Sequence, residues 1–126
     1  MKKALPIFTL ILLYTLQAFS QNQPIVLITY YSQSGNTRVL AESIFTGAKS
    51  VAGVEVKLLS IEEVKTQDLF DASAIILGSP VYNSNPAPQV LEFINSWPFE
   101  NRPLKDKIGA AFVTGGGISI GEEGVM

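Results

Sequence analysis

Ile25-Val26-Leu27-Ile28-Thr29-Tyr30-Tyr31-Ser32-Gln33-Ser34-Gly35-Asn36-Thr37 is the stretch whose reading decides the fold. Ile25–Tyr31 is apolar apart from Thr29, the pattern of a strand buried on both faces. Ser32–Thr37 is a hydroxyl- and glycine-rich turn, and an amphipathic run from Thr37 to Val51 follows it. A strand, a short turn and a helix make a ready anion site. Backbone N–H groups converge there and the helix N-terminus adds partial positive charge. The hydroxyls of Ser32, Ser34 and Thr37 and the side-chain amide of Asn36 can donate to phosphate oxygens, while Gln33 and Gly35 offer backbone amides. Gly35 also permits a positive φ. No lysine lies in the turn, so the pattern is not the one that holds a triphosphate with magnesium. The same residue types also suit a plain turn with a helix cap.

The rest of the chain limits the chemistry. Its 126 residues suit one domain, and a 47% hydrophobic content is enough for a core. With no cysteine and no histidine, disulfides, thiolate metal sites and imidazole catalysis are closed off. Met1-Lys2-Lys3 is basic, Ala4–Phe19 is almost wholly apolar, and Ala18-Phe19-Ser20 ends in small residues. That is the three-part design of a secretory signal, so residues 1–20 are expected to direct export and residues 21–126 to form the domain. An uncleaved anchor over Ala4–Phe19 is the alternative, although such a run is short against the ~20 residues of a comfortable span. Without Lys2 and Lys3, 7 basic residues stand against 11 acidic ones, a net charge of −4. That balance speaks against a nucleic-acid partner.

In order along the chain, Gln21–Pro24 is a polar linker and Ile25–Tyr31 the first strand. In the following helix Leu40, Ile44, Ala48 and Val51, with Ala41 and Phe45 alongside, are expected to face inward, and Arg38, Glu42 and Lys49 outward. Gly53 ends that unit, and Val54, Val56 and Leu58 alternate with Glu55 and Lys57 as a half-buried edge strand. Ile61–Ser73 is short-helical at best, anchored by Leu69 and Phe70. Ala74–Leu77 reads as a second doubly buried strand, and Gly78–Pro86 as the loop that leaves it. Pro88 starts a helix over Gln89–Trp97 whose apolar side includes Trp97 as a core residue. Ile108–Val113 reads as a third buried strand running into Thr114-Gly115-Gly116-Gly117.

Strands alternating with helices imply an α/β fold with a parallel sheet. In open sheets of that kind ligands sit beyond the carboxyl ends of the strands. Three polar loops leave such ends here, at Ser32–Thr37, Ser79–Asn85 and Thr114–Gly117.

Ser-x-Ser-Gly-Asn-Thr after a first strand resembles the FMN phosphate loop of flavodoxin-like proteins. The handed-down topology of that family is a doubly wound sheet of order 2-1-3-4-5. Gly78-Ser79-Pro80-Val81-Tyr82 resembles the flavin-ring loop of the tryptophan-repressor-binding-protein type and of related NAD(P)H-dependent FMN reductases. The resemblance implies FMN as cofactor, NAD(P)H as an electron donor, and a redox partner or quinone as acceptor. It implies that Ser32, Gln33, Ser34, Gly35, Asn36 and Thr37 hold the phosphate. Pro80, Val81, Tyr82 and Asn83 would line one side of the ring, and Thr114, Gly115, Gly116 and Gly117 another edge. In the quinone-reductase branch nicotinamide often meets the ring at a subunit interface, which implies a homo-oligomer. Gly121-Glu122-Glu123 keeps only part of that branch's third-loop pattern.

The chain departs from the family at its end. Only the strand order 2-1-3-4 is expected, with the fifth strand and last helices missing, because Met126 follows so soon after the third loop. Ile108–Val113 would then lie at an open apolar edge, which is an aggregation hazard. A truncated reading frame, or a chain completed by a partner, is the reading this suggests. A non-catalytic exported remnant that binds no flavin stays open beside the electron-transfer reading.

Overall fold

A computed structural model describes residues 22–116, so the expected signal segment, Gly117 and the Gly121–Glu123 stretch lie outside the described residues. The elements are β1 (Ile25–Tyr30), α1 (Asn36–Lys49), β2 (Glu55–Ser60), α2 (Thr66–Asp71), β3 (Ala72–Tyr82), β4 (Asn85–Pro86), α3 (Pro88–Asn95) and β5 (Ile108–Thr114). β2, β1, β3 and β5 lie side by side in that order, all parallel. This is the 2-1-3-4 arrangement of the four long strands that the sequence implies. The sheet nevertheless has five strands, because β4 pairs antiparallel with the end of β3.

β3 is also longer than its sequence suggests. It runs on through Gly78-Ser79-Pro80-Val81-Tyr82, the segment expected to be loop. Pro80 is tolerated for a geometric reason. In a parallel ladder a residue turns both its N–H and C=O to one neighbour, and alternate residues turn to opposite neighbours. Gly78 faces β1, since its carbonyl accepts from the Tyr31 N–H at 3.1 Å. Pro80 therefore faces the same side, where β1 has already ended and no donor is needed. The chain then reverses at Asn83 and Ser84, with φ of 49° and 61°. Two consecutive positive φ values give the primed turn whose twist suits a two-residue hairpin.

Side-chain alternation divides the sheet into two faces. Leu27 and Ile75 face α2 and α3 and pack with Leu69 and Ala72, flanked by Phe93, Trp97 and Leu104. Trp97 is therefore a core residue, its ring edge-on to Phe93 at 5.5 Å. Ile61, Ala87 and Val90 extend this layer toward Leu77. α1 covers the other face, with Thr37 and Ala41 buried and Ile44 and Ala48 partly so. The middle of the expected stripe faces inward, but its ends do not: Leu40 and Val51 are exposed, and the neighbouring Ala41 takes the contact. A small residue lets the helix approach the sheet closely. Phe70 is likewise exposed while Leu69 is buried.

β5, apolar in composition, lies at an edge of the described sheet, in line with the open-edge expectation. Its first four residues are exposed, Ile108 to 70%, and among the described residues it pairs only with β3. An apolar trough of about 300 Å³ runs between α1 and the strand beginnings, past Val26, Val54, Ala74 and Ile108. Toward its other end β5 is fixed by Phe112, whose ring lies flat over Gly78 in the register-matched position. A Cβ on Gly78 would fall inside that ring's contact distance, so the glycine is required by packing and not by φ.

Gly78→Ala should therefore destabilise the fold by ~1–3 kcal/mol through overpacking. Gly109→Ala, whose Cβ meets nothing within 4 Å, should shift stability by no more than ~0.5 kcal/mol. Urea denaturation of the two variants checks the contrast, and equal effects would contradict the role given to Phe112.

Candidate functional site

The turn between β1 and α1 is built by Ser32. Its Oγ accepts the Gly35 N–H at 3.2 Å and the Arg38 N–H at 3.2 Å, folding the loop back on the helix start. Gly35 makes the bend with φ 96°, and a Cβ there would meet nothing within 4 Å, so conformation alone asks for glycine. This corrects one expectation: the Gly35 amide is spent inside the loop. The amides of Asn36 and Thr37, the first two of α1, have no acceptor among the described residues. They are the ordinary orphans of a helix start, aimed outward. With both its lone pairs engaged, Ser32 keeps its hydroxyl proton to donate. Ser34 and Asn36 stay exposed, joined by a long 3.4 Å contact from Asn36 Nδ2 to Ser34 Oγ.

Thr37 differs from these. It is 2% exposed, and its Oγ1 lies 2.8 Å from Oγ1 of Thr114 at the end of β5. Thr114 falls on the α1 face because it follows Phe112 by two residues in the strand. Ser79 falls on the opposite face of β3. Its Oγ accepts the Ala87 N–H at 2.9 Å and its hydroxyl donates to the Pro80 carbonyl at 2.8 Å. Ser79, 4% exposed, thus ties the beginning of α3 to the hairpin. Sequence reading passed over it as a site-forming residue. The only signal was a hydroxyl set between an apolar strand and a proline.

The three loops meet. A pocket of about 370 Å³ is lined by Ser34 and Asn36 from the first, Pro80, Val81 and Tyr82 from the second, and Thr114, Gly115 and Gly116 from the third. Tyr82 Oη donates to Gln33 Oε1 at 3.0 Å, so the first and second loops touch across its rim. Asn83 lies beyond the pocket, in the turn, where Asn85 Nδ2 donates to its carbonyl at 2.8 Å. A larger hollow of about 550 Å³ lies on the β2 side of the first loop; Ser32, Gln33 and Gly35 of that loop line it together with Tyr30, Arg38, Glu62 and Glu63. Its charges are not arranged for an anion. Arg38 Nε is bonded to Glu42 Oε1 at 2.9 Å, which raises the guanidinium's already high pKa. The Ser60 N–H bonded to Glu63 Oε2 at 2.8 Å holds that carboxyl below the usual range. It therefore stays a carboxylate. The smaller pocket has no carboxylate in its lining, and Ser34, Asn36 and Thr114 bring N–H and O–H donors to it.

These features agree with what the chain resembles. Residues 27–120 match the model of the flavodoxin domain, and the chain belongs to that family. It is 32% identical over 96 residues to a flavodoxin of Clostridium saccharobutylicum, covering 76% of this chain and 59% of that protein. It is 30% identical to an NAD(P)H dehydrogenase (quinone) of Geotalea uraniireducens, covering 71% of this chain and 57% of that one. The chain thus spans a little over half the length of these relatives. Among solved structures it is similar to a flavodoxin from the domain Archaea, with a TM-score of 0.63 and 28% identity. That match covers 81% of this chain and 76% of the other.

Proposed function

We propose that this chain binds FMN in the pocket formed by its three loops and serves electron transfer. The observation that carries the reading is the pair of unpartnered helix-start amides, Asn36 and Thr37, beside the freed Ser32 proton. Together they offer a phosphate several donors, with the carboxylates of Glu62 and Glu63 in the adjoining hollow on the β2 side that Ser32 also borders. A site of this kind holds a phosphate dianion by hydrogen bonds and the helix dipole, without a paired lysine. Ser32, Ser34, Asn36 and Thr37 take the phosphate, with Gln33 at the loop's rim.

Pro80, Val81 and Tyr82 offer a wall of one proline, one aliphatic and one aromatic side chain to the ring, with Asn83 in the turn behind them. Gly115 and Gly116 face the pocket without side chains to fill it, and Gly117 continues that loop in sequence. Bound there, the flavin supplies the redox chemistry, and no protein nucleophile is needed. Family membership supports the cofactor. Similarity to the Geotalea protein supports reduction by NAD(P)H with a quinone as acceptor; a homo-oligomer rests on the resemblance to the quinone-reductase branch alone.

A fluorescence titration of the purified chain should show one-to-one, saturable quenching of FMN at micromolar concentration or below. Asn36→Asp puts a carboxylate beside the phosphate at an exposed position and should weaken binding at least about tenfold, equivalent to ~1.4 kcal/mol. The substitution favours the helix start, so the loss would not reflect unfolding. No saturable binding by folded protein would contradict the proposal and favour a remnant that has kept the fold alone. Once FMN is loaded, steady oxidation of NADH or NADPH with a quinone would favour the reductase reading over a simple carrier.

We also propose that residues 1–20 direct export, on the strength of basic Met1–Lys3, apolar Ala4–Phe19 and the small residues near Ser20. The mature chain should then begin at Gln21 and occur in the periplasmic fraction of a bacterial host. Intact-mass measurement checks this, and a membrane-bound chain that retains Met1–Ser20 would contradict it.

A further inference from the structure

The Thr37–Thr114 contact does more than join α1 to β5. Each hydroxyl brings one proton and two lone pairs, so only one of the two can donate along the 2.8 Å line between them. If Thr37 donates to Thr114, its remaining lone pairs face the turn at the helix start, where they repel an anion. If Thr114 donates to Thr37, the Thr37 proton is released toward that turn. Because Thr37 is 2% exposed, water does not readily supply the second arrangement in place of Thr114. Thr114 itself is partly buried, and the chain turns from it into Gly115 and Gly116.

We infer that Thr114, although it lines the pocket, acts as a positioning residue for the phosphate and not through the flavin ring: it donates to Thr37, and Thr37 donates to the anion. The inference rests on the phosphate-loop reading of Ser32–Thr37 and deepens it. An anion beside Thr37 favours this polarity, and hydrogen bonds arranged head to tail strengthen one another. The bond also links phosphate occupancy to the third loop, since Thr114 is the last residue of β5 before Gly115. Gly78 and Phe112, packed below, hold the strand end that carries Thr114.

The test compares FMN with riboflavin, which carries the same ring and no phosphate. Thr114→Val keeps the shape of the side chain and removes its hydroxyl. FMN affinity should fall about fivefold or more, the order expected for a hydrogen bond that supports a charged group, while riboflavin affinity changes less than about twofold. Thr114→Ser restores the hydroxyl and should return the FMN-to-riboflavin ratio to within about twofold of the parent. In a Thr37→Val background, Thr114→Val should have no further effect on FMN, because the donor it serves is gone.

Equal losses for FMN and riboflavin would place Thr114 at the ring and overturn the inference, as would an unchanged ratio. Failure of Thr114→Ser to rescue would show that the methyl group, and not the hydroxyl, carries the effect, and would also overturn it. If Thr114→Val does not fold, Thr114→Ala removes the same hydroxyl with less bulk and is read in the same way: a fall in the FMN-to-riboflavin ratio supports the inference and an unchanged ratio overturns it. A parent chain that binds riboflavin but gains nothing from the phosphate overturns the phosphate-loop reading together with this one. A parent with a clear FMN preference and an unchanged ratio in Thr114→Val overturns this inference alone.

Discussion

The fold-back of Ser32 onto the start of α1 is the interaction on which the site depends. One oxygen accepts two backbone amides, Gly35 and Arg38, and so decides which donors are spent and which are left. The cap comes from a residue that lies four positions before the first helical residue, since Gly35 at the N-cap has no side chain to supply it. A side-chain cap at Gly35 itself would have reached for the amides of the first turn. With the cap displaced backward, the Asn36 and Thr37 amides remain open, and α1 presents its positive end to the pocket. The bend that permits this is the left-handed Gly35.

Parallel pairing determines what meets that helix end. β1, β3 and β5 all run the same way, so their carboxyl ends open on one edge and their loops converge without a designed contact between them. Alternation within each strand then sorts the hydroxyls. Ser79 turns to the α3 face and fastens the hairpin, while Thr114 turns to the α1 face and meets Thr37. A slip of one residue in β5 would exchange these faces and remove the contact. Phe112 over Gly78 is what resists such a slip, because no other position in β3 presents a flat, side-chain-free place for the ring.

Much of this was legible in the sequence, for identifiable reasons. β1 and the turn after it announce themselves through continuous apolar residues followed by hydroxyls and glycine, and both patterns are local. The meeting of three loops at one edge follows from the alternation of strands and helices, while the strand order was implied only by the resemblance to flavodoxin-like proteins. Other features were not legible because they depend on neighbours. Pro80 reads as a strand terminator, yet its missing N–H faces a side where β1 has ended. Leu40 reads as the head of the inward stripe, yet Ala41 beside it takes the contact, because close approach to the sheet favours the smaller residue. The pairing of Thr37 with Thr114 joins residues 77 positions apart, and no local pattern encodes it.

An anion-bearing flavin held where the three loops meet is tested most directly by backbone amide chemical shifts of the isotopically labelled chain, followed as FMN is added. Saturable shifts are expected at Ser34 to Thr37, at Val81 and Tyr82, and at Thr114 to Gly116, with the largest at the amides of Asn36 and Thr37. Shifts centred instead on the apolar trough around Val26 and Ile108, or on the hollow beside Glu62 and Glu63, would contradict it.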